Sequence, residues 1–198
     1  MSTPESNFVE LIRNWLVSLP HDLKIAFDAI DDENLPRTAR EMAVGTIAYV
    51  LSPQDAGADR NEAIASYVDD AIILRLGLAR MSALAGEDGV AFRDRYPELF
   101  GELEKEWLTC KAILGDLVPW LEGKVAGLKT MDHKGKKIAK ILDDDETREE
   151  LYEDGLVFRT DYPIDEKSIN DRLKRSATVV DALRRAKAEE ARAKGIVA

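Results

Sequence analysis

Cysteine and histidine are scarce in this sequence. Its 198 residues include one cysteine, Cys110, and two histidines, His21 and His133. A single cysteine cannot close a disulfide within the chain, and these three residues cannot supply the four ligands of the usual Cys/His zinc site. Because the chain shows no disulfide framework, we expect it to work in the reducing cytoplasm.

Turn-forming and aromatic residues are also few. The chain has 12 glycines, 7 prolines and 7% aromatic residues, whereas 45% of its residues are apolar. A β-sandwich or barrel needs turn signals and β-branched or aromatic runs about every 8–12 residues, so an all-β fold is not expected. No run of about 18 uncharged apolar residues is present, and the N-terminus lacks the pattern of a signal peptide. The composition therefore favours an all-α protein that does not associate with membranes.

Positive charge is in deficit, because 28 Lys and Arg residues stand against 38 Asp and Glu residues. The whole deficit lies in residues 1–128, with 12 basic and 22 acidic side chains, whereas residues 129–198 have 16 of each. Two basic clusters interrupt this pattern, but acidic residues are interleaved with them, and we predict solvated surfaces rather than a nucleic-acid site. The clusters are Lys129, Lys134, Lys136, Lys137 and Lys140, and Arg172, Lys174, Arg175, Arg184, Arg185 and Lys187.

Apolar residues recur at helical spacing along the first part of the chain. The pattern predicts a helix over residues 5–19 that Pro20 stops, and a second helix with Pro36 in its first turn and a largely buried stripe up to Leu51. Residues 62–84 are apolar on more than one face, which is typical of the central helix of a bundle. Residues 85–89 read as a loop before a shorter helix over residues 90–96.

A heptad pattern follows between residues 100 and 121. Such a seam packs along another helix, either within the same chain or in a second copy of it, and both alternatives remain open. Pro119 predicts that the helix ends near Val118 or kinks there. The candidate interaction seam consists of Phe100, Leu103, Trp107, Leu114, Leu117 and Leu121, with Cys110 as a buried, inert thiol in the same row.

The pattern changes after residue 128. Residues 131–163 fit a small hairpin or a short helix, and the sequence does not decide between them. The helical period returns from Asp165 with Ile169, Leu173 and Leu183, and the alanine-rich final turns predict an exposed helix. We therefore expect a helical bundle over residues 5–128, followed by a charged extension with a C-terminal helix over residues 129–198.

The stretch between residues 48 and 78 carries the most specific pattern. Ser52 can cap a helix, Pro53 fits its first position, and the carboxylate of Asp55 can reach back to the cap. Asp59 repeats this arrangement before the next helix. On this interpretation the acidic residues are structural.

This stretch resembles the YkvA-like family, whose shared region is a domain of unknown function. The matching residues are Tyr49, Ser52, Pro53, Asp55, Asp59, Asp69, Asp70 and Leu74. The resemblance implies a YkvA-like helical core but no particular activity. Residues 56–58 and 60–62 are small or polar where the family has an apolar, proline-containing segment, so membrane association is not expected here.

The alternative is that the aspartates bind a hard divalent cation such as Mg²⁺, since oxygen ligands suit such ions. Asp55 and Asp59 could share a face, but Asp69 and Asp70 point about 100° apart on a helix, so at most one of them would join. Apart from this alternative no cofactor is predicted.

No catalytic constellation stands out elsewhere in the sequence. His21 and His133 are read as surface or capping histidines, and no Ser/His/Asp arrangement or glycine-rich phosphate loop is evident. We therefore expect a non-enzymatic interaction or scaffolding module with a protein partner, which could be a second copy of the chain. The competing hypothesis is a metal-dependent enzyme that uses the aspartate cluster.

Overall fold

Helices make up most of the computed structural model, which describes residues 3–52, 67–193 and 195 and confirms the all-α class. In chain order the helices are α1 (Pro4–Asp31), α2 (Arg37–Val50), α3 (Val68–Leu84), α4 (Gly86–Arg95), α5 (Pro97–Phe100), α6 (Leu103–Leu114), α7 (Val118–Gly127), α8 (Ile138–Asp143), α9 (Asp145–Asp161), α10 (Glu166–Arg172) and α11 (Ser176–Ala193). Short 3₁₀ turns at Gly115–Leu117 and Leu128–Thr130 flank α7. A small antiparallel hairpin pairs β1 (Asp132–His133) with β2 (Lys136–Lys137).

Helices α1, α2 and α3 pack against one another at the centre of the molecule. Helix α3 is buried around most of its circumference, which confirms its predicted central position. The stripe predicted for the second helix is likewise buried in α2, although Pro36 lies just before the helix rather than in its first turn. The predicted start of the central helix, residues 62–66, lies outside the described residues.

Pro20 does not stop the first helix, so that prediction is wrong. Helix α1 continues through Pro20 to Asp31 and buries a second apolar set that includes Leu23 and Ile30. A proline inside a helix leaves the carbonyl four residues earlier without its usual N–H donor. Here the hydroxyl of Tyr162 donates a hydrogen bond to the Leu16 carbonyl at 2.7 Å. A partner from α9's C-terminal flank thus replaces the lost local bond.

The loop predicted over residues 85–89 is also wrong, because α4 already begins at Gly86. Ala85 alone joins it to α3, and its N–H donates to the Ser82 carbonyl. The Ser82 hydroxyl donates to the Gly89 carbonyl at 2.9 Å, and a side-chain carbon at Gly89 would collide with the Ser82 backbone. The glycines that suggested a loop instead permit a close helix–helix junction.

The predicted heptad helix is divided in the structure. Its residues belong to α5, α6, a 3₁₀ turn and α7, and the break lies at Gly115, whose φ of 52° favours glycine. The interruption predicted near Val118 is therefore present, but it lies before that residue. Pro119 occupies the first turn of α7, where its missing N–H costs no hydrogen bond. Leu103, Leu114, Leu117 and Leu121 are buried in the chain's own core, and Phe100 and Trp107 are partly buried against it.

Residues beyond 128 fold back onto the bundle rather than forming a separate layer. Both alternatives for residues 131–163 occur, since the hairpin is followed by α8 and α9. Helices α9, α10 and α11 contact α1, and α8 contacts α2. Ile141, Leu151, Leu173 and Leu183 join the same core as α1–α3, so residues on both sides of residue 128 contribute to one core.

The last turns of α11 agree with the predicted exposed helix, because no residue of that helix after Leu183 is buried. Within the described residues, no helix combines the length and the apolar character that a membrane crossing requires.

Candidate functional site

An open cleft of about 470 Å³ lies where the C-terminal end of α2, the start of α3, the hairpin and α9 come together. Its volume falls in the range of about 300–1,000 Å³ that is typical of ligand sites. Apolar and aromatic side chains share its surface with carboxylates, a histidine and a lysine. The lining residues are Val50, Leu51, Ser52, Tyr67, Asp70, Asp132, His133, Lys134, Asp154, Val157 and Phe158.

Two residues of the Ser-Pro-x-Asp motif region, Ser52 and Asp70, line this cleft. The Ser52 hydroxyl donates to the Ala48 carbonyl at 2.8 Å, which holds the side chain against the last turn of α2. Asp70 is fully buried in the first turn of α3, where the helix dipole favours a negative charge. Pro53, Asp55 and Asp59 lie outside the described residues, as does the predicted cap that joins Ser52 to Asp55.

The charge of Asp70 acts on two tyrosines beside it. Burial, and after it the Asp70 carboxylate, raises the pKa of the Tyr67 hydroxyl. The same two causes raise the pKa of Tyr162, whose ring centroid lies 5.0 Å from that of Tyr67. Both phenols therefore remain neutral in a region of negative potential.

Asp69 faces a different set of groups from its neighbour Asp70. The Tyr49 hydroxyl donates to Asp69 Oδ2 at 2.6 Å, and burial raises the pKa of the Asp69 carboxyl although this bond and the charge of Lys124 oppose it. Burial and Asp69 likewise raise the pKa of Tyr49. The two adjacent aspartates thus diverge, as their positions on a helix predict.

The ammonium group of Lys124, whose charge acts on Asp69, also contacts side chains of α2, α7 and α11. We call Tyr49, Asp69, Trp120, Lys124 and Glu190 the interior brace. Lys124 Nζ lies 4.8 Å from the ring centroid of Tyr49 and 4.9 Å from that of Trp120. The same ammonium lies 2.9 Å from Glu190 Oε2, which also accepts a 3.0 Å hydrogen bond from the Trp120 indole. Sequence reasoning missed this brace, because its members come from α2, α3, α7 and α11 and share no local pattern.

His133 is buried, so its interpretation as a surface or capping histidine is wrong. Its Nε2 lies 2.8 Å from Asp154 Oδ2, and Lys134 Nζ donates to Asp154 Oδ1 at 2.7 Å. Burial would raise the pKa of Asp154, but the hydrogen bonds from Lys134 and His133 outweigh it and hold the pKa below its usual value. His21, in contrast, is exposed beside Glu98, as expected.

One wall of the cleft continues into an apolar surface. Tyr67 and Phe158 meet edge to face with ring centroids 5.9 Å apart, and Val50 and Leu51 lie close by in the lining. Next to Phe158 on α9, Leu156 and Val157 are 62% and 59% exposed. Only Val157 of this pair lines the cleft, so the apolar surface extends beyond its mouth.

A second set of charged groups is enclosed in the bundle. Arg75 Nη2 lies 2.8 Å from Asp22 Oδ2 and 3.0 Å from the Ser18 hydroxyl, and the guanidinium carbon lies 5.1 Å from the Trp15 ring centroid. Burial raises the pKa of Asp22, although Arg75 and Ser18 oppose that change. Cys110 is buried as expected, and burial raises its pKa to about 12, which keeps the thiol protonated and unreactive.

Among the residues that the structure describes, no three His, Cys, Asp or Glu side chains are grouped so that they could hold a metal ion. Asp55 and Asp59, two of the four predicted oxygen donors, lie outside those residues. The divalent-cation alternative therefore stays a prediction.

A scan against protein-family models gives no match, and searches of curated proteins and of solved structures find no significant relative. The resemblance to the YkvA-like family accordingly stays a prediction that rests on the motif residues alone.

Proposed function

We propose that this protein is a non-enzymatic interaction module, of the scaffolding kind, whose protein partner docks on the cleft and on the apolar surface of α9 beside it. The observation that carries the proposal is the exposure of Leu156 and Val157, two adjacent large apolar residues at the mouth of an open cleft. Apolar groups that border a cleft and are rimmed by polar residues are typical of protein-binding surfaces.

The heptad seam supports a partner other than the chain itself. Self-association through the row from Phe100 to Leu121 would need exposed apolar side chains, but that row packs against its own bundle.

The basic cluster of the hairpin supports a protein partner over nucleic acid. Lys134, Lys136 and Lys137 each lie within 3.0 Å of a carboxylate oxygen, so their charges are already compensated. We place this interaction in the cytoplasm, as the cysteine usage favours.

The experiment compares two double variants that each remove two exposed apolar side chains. Leu156→Ser/Val157→Ser alters the proposed surface, whereas Val90→Ser/Leu108→Ser alters residues that are 45% and 67% exposed on α4 and α6. Each variant and the unaltered chain serve as bait in the native host, and bound proteins are quantified by mass spectrometry. Matching thermal unfolding curves establish that all three baits are folded.

The proposal requires at least one partner that the unaltered chain and the Val90/Leu108 variant retain and that the Leu156/Val157 variant loses. We expect the loss to be about tenfold or more, since two central apolar contacts typically contribute more than 1 kcal/mol each. If both variants keep the same partners, or lose the same ones, the partner does not bind at α9 and the proposal is wrong.

A further inference from the structure

We propose that the cleft binds an uncharged aromatic side chain, that of phenylalanine, tyrosine or tryptophan, presented by the partner's docking segment. The inference rests on the proposed function and names the residue type with which the partner anchors itself. It is carried by the pairing of the charges around the cleft, by the aromatic cluster in its wall and by the apolar surface that continues from its mouth.

The charged groups around the cleft are already paired with one another. Lys134 Nζ donates to Asp154 Oδ1 at 2.7 Å, and His133 Nε2 lies 2.8 Å from the other oxygen of that carboxylate. Asp132 Oδ1 lies 2.9 Å from Lys137 Nζ. Each of these two carboxylates therefore has an ammonium group of the chain itself as its partner.

The remaining polar groups of the described lining are also engaged within the chain. Asp70 is fully buried and has an interaction of its own, so its carboxylate is not presented to an occupant. The Ser52 hydroxyl donates to the Ala48 carbonyl. A charged occupant of this cleft would lose hydration without gaining a counter-charge that is not already paired, whereas an uncharged, apolar occupant has little hydration to lose.

An aromatic cluster forms part of the wall. Tyr67 and Phe158 meet edge to face with ring centroids 5.9 Å apart, and both are only partly buried against the core, so each keeps exposed surface. Tyr162, which is not in the lining, packs against both rings at centroid distances of 5.0 and 5.5 Å. Aromatic pairs in such tilted or edge-to-face arrangements stabilise a structure beyond the area that they bury. A ring that enters the cleft would extend this cluster.

Aliphatic side chains complete the apolar surface. Val50, Leu51 and Val157 line the cleft together with the two rings, and the exposed Leu156 continues the surface beyond its mouth. Large aromatic residues are typical anchors at the centre of protein interfaces, where surrounding contacts exclude water from them. A docking segment that places a ring in the cleft and apolar neighbours against Leu156 therefore buries the whole surface.

A minimal probe tests the anchor without knowledge of the partner. N-acetyl-phenylalanine N-methylamide is titrated into the full-length, ¹⁵N-labelled protein up to about 20 mM, in parallel with three analogues. The leucine analogue is apolar but has no ring, whereas the 4-aminomethylphenylalanine and 4-carboxyphenylalanine analogues keep the ring and add a positive or a negative charge. We expect the phenylalanine probe to shift amide resonances of cleft residues with a Kd of about 1–10 mM, which is typical of a fragment. The leucine analogue should bind at least about threefold more weakly, and both charged rings at least about fivefold more weakly.

Three variants locate the binding. Phe158→Leu removes a ring but keeps an apolar wall, so the phenylalanine and leucine probes should then bind within about twofold of each other. Val157→Glu places a charge in the lining and should weaken binding of the phenylalanine probe at least about fivefold. Leu156→Glu places the same charge on the neighbouring, similarly exposed position outside the lining and should weaken it less than about twofold.

If Phe158→Leu does not fold, the pair of glutamate variants decides the question. Equal weakening by both glutamate variants would overturn the proposal, as would equal binding of all four probes. Tighter binding of either charged ring than of phenylalanine would show that the cleft holds an available counter-charge and would contradict the inference directly.

The outcomes separate this inference from the proposed function. If the phenylalanine probe does not bind the cleft but the Leu156→Ser/Val157→Ser variant still loses its partner, the anchor is wrong and the docking surface stands. If the probe binds the cleft but no partner is lost, the docking surface is wrong and so is the assignment of the aromatic group to a protein.

Discussion

The protein buries charged side chains in two settings, the interior of the bundle and the edge of the cleft. Asp22 and Arg75 meet between α1 and α3, where Ser18, Trp15 and the Leu99 carbonyl surround them. His133 and Asp154 meet between the hairpin and α9, and both also line the open cleft. The first set is enclosed by the chain itself, while the second keeps a face toward solvent.

This difference separates groups that fix the packing from groups that are available to a ligand. Burial is the largest influence on both pKa values, but at Asp22 it prevails and raises the pKa, whereas at Asp154 the hydrogen bonds from Lys134 and His133 together outweigh it and lower the pKa. The adjacent aspartates of α3 repeat the contrast, because Asp69 belongs to the interior brace and Asp70 faces the cleft. A buried charge by itself therefore does not indicate a binding site. It indicates one when the charged group also borders an open cleft.

The largest effect is expected from Arg75→Met. This change leaves the Asp22 carboxylate buried without its cation, and breaking a buried ion pair from one side costs about 3–5 kcal/mol. Urea unfolding followed by circular dichroism measures the loss. The double variant Asp22→Leu/Arg75→Met is the control, since replacing a whole buried pair by apolar residues is often neutral or stabilising.

If the single and double variants lost the same free energy of unfolding, our interpretation of the Asp22–Arg75 ion pair would be wrong. In that case the packing of the arginine stem, and not the pairing of charges, would account for the loss. Arg75 Nε finds no hydrogen-bond partner among the described residues, which is a further reason for the double variant to regain stability.

A smaller effect is expected from Tyr49→Phe, which removes the hydroxyl that donates to Asp69. A buried carboxylate that loses such a donor costs about 1.5–3 kcal/mol. Tyr67→Phe is the matched control on the cleft side, and we expect it to change the free energy of unfolding by less than about 0.5 kcal/mol. Equal losses in urea unfolding would mean that the two sides of α3 do not differ as the comparison requires.

The helices could largely be predicted from apolar periodicity, but long-range partners decided where they end. Nothing near Pro20 indicates that α1 continues, because the hydroxyl that satisfies Leu16 comes from Tyr162, 146 residues further on. The heptad row predicted the buried face correctly, yet the break fell at Gly115 and not at Pro119. A proline in the first turn of a helix fits without cost, and only the fold shows which turn is the first.

Only a small part of the cleft could be found from the sequence. The motif residues Ser52 and Asp70 mark it, whereas His133 and Asp154 come together only because the hairpin folds onto α9. In the structure Lys134 and Gly135 both have positive φ, as the two central residues of a type I′ turn require. Because lysine stands where this turn usually has asparagine or aspartate, the sequence offered the hairpin only as one of two alternatives.

The smallest effect concerns the pH dependence of stability, which should differ in sign between the two settings. The pKa of Asp154 is lower in the folded than in the unfolded chain, so its stabilising contribution is present above about pH 4 and is lost as the pH falls through the folded value. Asp154→Asn should therefore flatten the rise in stability that occurs as the pH increases toward about 4. The pKa of Asp22 is raised by burial, so its contribution is present below about pH 4 and is lost as the pH increases through the folded value. Asp22→Asn should therefore make the stability fall less, or increase more, above about pH 4. Urea unfolding at several pH values measures both slopes. Slopes that change in the same direction would show that the cleft carboxylate is governed by burial, like the interior one.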